Sequence, residues 1–163
     1  MTLQKNMWMG CALLSMAVQG NTATPANPGT SNVKAEIEAV LAAQERANSE
    51  GETAEQLSRR FYTQDVVIVG EGDTASGHGL DAATTETAEW MKSLGPNGQK
   101  GCHFHLEDPV IVGPDSASAF VTLTCKANPP AAPKAQVVRQ LFVWKRVQSG
   151  WRVALEMWGN GSM

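Results

Sequence analysis

The sequence predicts an α+β fold: three N-terminal helices packed in the concave face of a strongly curved, mainly antiparallel β-sheet, a cone-like roll. Three observations predict it. Helix-period apolar patterns fill the first half of the domain and period-two patterns the second, the segregated order of an α+β chain. Residues 140–158 hold two runs rich in β-branched and aromatic side chains on either side of Gln148-Ser149-Gly150, which reads as an antiparallel hairpin. Turn clusters at Gly95-Pro96-Asn97-Gly98, Gly113-Pro114-Asp115-Ser116 and Asn128-Pro129-Pro130 punctuate the second half into short strands.

The first residues stand apart. Lys5 precedes a short apolar stretch over residues 7–18, and small or polar residues follow. This is the pattern of a secretory signal peptide over 1–20, with a loosely packed arm as the other reading. A lipid anchor on Cys11 fits less well, because that cysteine precedes most of the apolar run. Residues 21–32 are rich in Thr, Asn, Pro, Gly and Ser and read as a linker. The domain is expected over 33–160, and the chain is expected to be secreted or periplasmic, the alternative being cytoplasmic. No apolar run approaches the roughly 20 residues that cross a bilayer. The net charge of -3 gives no basic footprint for nucleic acid.

The first helix is expected from Val33, capped by Ser31 or Asn32, with Ile37, Val40, Leu41 and Gln44 at helical spacing. Thr53-Ala54-Glu55-Gln56 fits a capping box for a second helix that buries Leu57 and Phe61. Val66-Val67-Ile68-Val69 is a brief strand, and the glycine-rich 70–79 a loop. Asp81 can cap a third helix with Ala83, Thr87, Trp90, Met91 and Leu94 inward. A strand over 102–112 then pairs with one over 117–126, whose alternation sets Ala117, Ala119, Val121, Leu123 and Cys125 on one face. Cys102 and Cys125 fall in these neighbouring strands, either as a disulfide or as two buried thiols.

In the last hairpin, alternation puts Leu141, Val143, Lys145, Val147, Trp151, Val153, Leu155 and Met157 on one face, expected beneath the helices. The other face carries Gln140, Phe142, Trp144, Arg146, Arg152, Glu156 and Trp158. Its mixture of charge and aromatics suggests an outer surface, with Phe142, Trp144 and Trp158 at a homodimer interface.

The order and spacing of four motifs resemble the nuclear transport factor 2-like superfamily, especially its SnoaL-like and ketosteroid-isomerase-like small domains. They are residues 57–67, Gly77-His78-Gly79-Leu80-Asp81-Ala82, residues 112–117, and Trp144-Lys145-Arg146 with Gly150-Trp151-Arg152-Val153. The resemblance implies an α+β cone, a pocket between sheet and helices, and dimerisation through the outer sheet face. It implies no single reaction, because the superfamily includes isomerases, dehydratases, cyclases and pure binding modules. The steroid-isomerase set is not intact: Gly70 stands where the base should be, with Glu71 beside it, and the only tyrosine is Tyr62.

The candidate chemistry follows. His103 and His105 alternate on one strand with Glu107, giving general bases for near-neutral pH or plain polar surface. A metal set from these three is disfavoured, and no metal or cofactor is expected. Asp65 and Glu71 are further candidate acids, each also readable as a turn or loop residue. Arg139 can bind an anionic group, and Tyr62, Trp90, Trp151 and Leu155 are expected to line a pocket for a small hydrophobic molecule. The expected function is thus a SnoaL-like pocket protein doing cofactor-independent isomerisation, dehydration or cyclisation. The alternative is a non-catalytic ligand-binding or dimerisation module.

Overall fold

The computed structural model describes residues 28–107 and 109–161, so the expected leader and the start of the expected linker lie outside the described residues. Helix α1 (Pro28–Glu50) already includes the end of that linker. Proline suits a first helical turn, where its missing N–H is not needed. Asn32 lies inside the helix rather than capping it: its amide donates to Glu36 Oε1 at 3.1 Å. Val33, Ile37, Leu41, Gln44 and Asn48 form the buried stripe, the three- and four-residue spacing of one helix face.

Helix α2 (Ala54–Phe61) opens with the expected capping box. Gln56 N–H donates to Thr53 Oγ1 at 3.3 Å, and Thr53 N–H donates to Gln56 Oε1 at 2.9 Å. Its apolar residues Leu57 and Phe61 are buried as expected. Strands β1 (Tyr62–Val69) and β2 (Gly77–His78) follow, then α3 (Gly79–Leu94). Asp81 falls in the first turn of α3 instead of capping it, because Gly79, at φ 78°, turns the chain into the helix earlier. A 3-10 turn at Gly98–Gly101 leads into β3 (Cys102–Leu106) and β4 (Val110–Gly113). The single strand expected over 102–112 is thus two, and Pro109, which has no N–H for a ladder, lies in the gap. Strands β5 (Ser116–Cys125), β6 (Gln136–Val147) and β7 (Gly150–Asn160) complete the chain's sheet.

The sheet runs β2-β1-β7-β6-β5-β3, with β4 also on β5. Every neighbouring pair is antiparallel except β1 on β7. The helices cover one face of this curved sheet. The main core joins Ile37 and Leu41 of α1 and Phe61 of α2 to Val121, Phe142, Trp144, Trp151 and Val153. Phe61 meets Phe142 at 5.5 Å and Trp144 at 5.6 Å between ring centroids, both edge to face.

This packing corrects the face assignment of the hairpin. Phe142 and Trp144 are fully buried, and Trp158 packs against the core, so none of the three can form the outer interface expected of them. The outward positions are Leu141, Val143, Leu155 and Met157, with Met157 about half exposed. The cause is local. The turn is the two residues Gln148-Ser149, with Val147 opposite Gly150, and the register slips between Val143 and Trp144. Trp144 faces Val153 while Val143 faces Leu155, which leaves Ala154 as the extra residue of a β-bulge. Trp151 and Val153 therefore point inward together with Glu156 and Trp158, which uninterrupted alternation forbids.

Cys102 and Cys125 are directly opposed in the β3–β5 ladder and form a disulfide. It closes a separation of 23 residues. Replacing both cysteines by alanine is expected to cost about 3 kcal/mol through the freed unfolded chain. Denaturant melts of oxidised wild type and double variant check it. No measurable loss would mean that the strand pairing alone confines this segment.

Candidate functional site

A cavity of about 690 Å³ lies between the helices and the concave sheet face. Gln44 and Asn48 reach it from α1, Glu86, Glu89 and Trp90 from α3, and Tyr62 from β1. Phe104, Gln140, Glu156 and Trp158 reach it from the sheet, and Asp73 from the loop before β2.

Its central group is Glu156, only 4% exposed. Tyr62 donates its phenolic O–H to Glu156 Oε2 at 2.5 Å, and Gln140 donates its amide N–H to Oε1 at 2.6 Å. The parallel β1–β7 pairing brings Tyr62 and Glu156 together across the sequence, and the register Phe142↔Glu156 places Gln140 one step along the same face. Burial pushes the Glu156 carboxyl up to about 7, against the lowering effect of the Tyr62 and Gln140 hydrogen bonds. The charge of Glu86 adds to the rise. Burial, with the adjacent Glu156 charge, also holds the Tyr62 phenol well above its ordinary range, so Tyr62 remains a donor. The trio is a carboxyl able to give or take a proton near neutrality, fixed by two donors.

Glu86 is a second pocket acid. Its Oε2 accepts from Trp158 Nε1 at 3.1 Å, and burial raises its pKa, with Asp73 and Glu89 contributing in the same direction. Asp73 itself accepts the Gly70 N–H at 2.5 Å. Gly70 holds the position that the resemblance gives to the isomerase base. A Cβ there would sit 2.5 Å from the Trp158 ring. The indole therefore fills the space such a base would need, and the buried carboxyl of the pocket comes from β7 instead.

Of the nine site residues expected from sequence, the structure brings two to the cavity, Tyr62 and Trp90. His103 and His105 point away from it, because their strand turns Phe104 inward, and His103 lies 3.5 Å from Glu45 on the outside. Asp65 is exposed on β1, with its carboxyl held below the usual range by Thr63. Glu71 accepts the Asn160 N–H at 2.8 Å as a loop tie. Arg139 lies over the Phe120 ring and donates to Glu107 at 2.7 Å, on the outer face. Trp151 is core, and Leu155 is turned outward by the bulge. Glu156, Gln140 and Glu86 are the residues the sequence reading missed. The available signal was a lone glutamate in the otherwise apolar run from Val153 to Trp158.

No protein-family model matches the sequence, and no curated protein matches it. Solved structures do. One is an NTF-2-like protein of unknown function from Shewanella oneidensis, at TM-score 0.61 and 12% identity, covering 77% of this chain and 98% of that one. Another is a ketosteroid isomerase-like protein from Erwinia carotovora, at TM-score 0.56 and 18% identity, covering 84% and 99%. A third is an NTF2-like protein with a cystatin-like fold from Novosphingobium aromaticivorans, at TM-score 0.57 and 19% identity, covering 81% and 85%. At these identities what is shared is the backbone path. With its helices on the concave face of one curved sheet, the chain has the nuclear transport factor 2-like fold.

Proposed function

We propose that the chain is a pocket protein that exchanges a proton with a small organic ligand, with Glu156 as acid–base group and Tyr62 as hydrogen-bond donor. The observation that carries this is the buried carboxyl at about 7, opening on a cavity large enough for a drug-sized molecule. In the ionised form Glu156 would take a proton from a carbon beside a carbonyl. The C–H electrons pass into the enolate, whose oxygen Tyr62 can meet with its O–H. Where the ligand has a neighbouring C=C, Glu156 returns the proton to the far carbon of the dienolate and completes an isomerisation without a cofactor. Where it has a β-hydroxyl, the same proton passes to that oxygen, which leaves as water with the C–O electrons and completes a dehydration.

One observation favours the second reading, a binding module: both Glu156 oxygens are already engaged, by Tyr62 and Gln140. Deuterium exchange separates the two. Ketones that bind, with and without an amine, are incubated with the protein in D₂O and followed by NMR. Proton transfer predicts exchange at the carbon next to the carbonyl that falls about 10²–10⁴-fold in Glu156→Gln. Binding without exchange leaves the non-catalytic module. The Cys102–Cys125 disulfide supports a secreted or periplasmic location, since cytosolic thiols are kept reduced.

A further inference from the structure

The cavity's charge and its unmatched polar atoms say more about the ligand. Asp73, Glu86, Glu89 and Glu156 all line it, and no lysine, arginine or histidine does among the described residues. Carboxylates this concentrated in a partly closed space repel one another, and they favour whatever brings positive charge between them. Alone, such a cluster says little. The buried amides supply an independent observation. Gln140 has its N–H committed to Glu156, so the atom it leaves without a partner is an acceptor oxygen, and the residue is 7% exposed. Asn48 Oδ1, on a residue 1% exposed, and Gln44 Oε1 are likewise buried without a donor. Among these lining residues Trp90 Nε1 is the one buried donor without a partner, so unmatched acceptors outnumber it three to one. Unpaired buried acceptors are costly, and a ligand rich in N–H groups satisfies them. The wall also carries the rings of Trp90, Trp158 and Phe104, and aromatic faces attract cations.

From these walls we infer that the cavity selects a small organic cation, a protonated amine carrying an apolar body. This rests on the pocket reading above and narrows its ligand class. The ammonium group lies towards the carboxylates of α3 and the loop before β2. The apolar body lies against Phe104 and Leu123. Burial is the main cause of the raised Glu86 carboxyl, and a cation relieves the repulsion that Asp73 and Glu89 add to it.

The test is titration calorimetry of the full chain, at fixed pH and low salt, with three probes of similar shape. These are benzylammonium, its neutral isostere ethylbenzene, and the anion phenylacetate. The cation is expected to bind about ten-fold or more tighter than the isostere, and phenylacetate more weakly than either. In the double variant Glu86→Gln, Glu89→Gln the cation should lose most of that advantage while the isostere is unaffected. Equal or tighter binding of the isostere or of phenylacetate overturns the cation preference and leaves a ligand pocket standing. Failure of all three probes to bind at millimolar concentration overturns both. Cation binding without deuterium exchange sustains this inference while removing proton transfer.

Discussion

Replacing Trp151 by alanine is expected to cost about 3–5 kcal/mol of stability. The indole is 2% exposed in the main core. Its N–H also donates to Glu36 Oε2 at 2.7 Å, and the Arg146 guanidinium lies 4.4 Å from its ring while donating to the same oxygen at 2.6 Å. Trp151 thus ties helix α1 to the last hairpin through both packing and a charged hydrogen bond. Trp151→Phe should keep most of the packing and lose only the N–H contact, by roughly 1–2 kcal/mol. Denaturant melts with unchanged m-values check both. A loss below about 1 kcal/mol for the alanine variant would place the ring outside the core.

The second large effect is a dependence of stability on pH, set by Glu156. Its folded pKa, about 7, lies above the ordinary 4.5, so the native state binds this proton more tightly than the unfolded chain. The sign follows. Stability from this group is fully present below about 4.5, declines as pH rises from there, and is lost once pH passes 7. The difference between pH 5 and pH 8 is on the order of 3 kcal/mol. Glu86, raised in the same direction, adds to the slope. Glu36 and Asp65 act oppositely and in a different window. Their carboxyls are held low, so their contribution is lost only as pH falls below the ordinary carboxylate range. Glu156→Gln keeps the shape and neutrality of the protonated group. That variant is expected to be the more stable protein at pH 8 and to lose most of the slope between pH 5 and 8. Melts at several pH values read this directly. An unchanged slope in the glutamine variant would show that Glu156 is not the titrating group.

The helices were legible because their signals are local: Thr53 and Gln56 cap α2 from within four residues, and the α1 stripe follows from spacing alone, whereas the caps expected at Asn32 and Asp81 fall inside their helices. Strand β5 was legible because its alternation is unbroken. The last hairpin was legible as a hairpin, but the assignment of its faces was not, for two physical reasons. Both of its faces are apolar, since the outer one carries Leu141, Val143 and Leu155 while the inner carries Phe142 and Trp144, so counting hydrophobic residues does not choose between them. The bulge at Ala154 then reverses the pattern within β7. The site was hidden for a related reason. His103 and His105 have the chemistry of a base but the parity of an outward face, fixed by Phe104 between them. Tyr62 and Glu156 are brought together only by the parallel β1–β7 pairing, which no local pattern announces.

The extra residue at Ala154 divides β7 into two halves with different duties. Before it, Trp151 and Val153 belong to the hydrophobic core; after it, Glu156, Trp158 and Asn160 face the cavity. Substitutions at Glu156 and Asn160 can change the charge and shape offered to a ligand without touching the packing of Trp151 and Val153 before the bulge. The bulge separates what the protein can afford to vary from what it must keep, and so leaves one strand free to explore new chemistry on a settled frame.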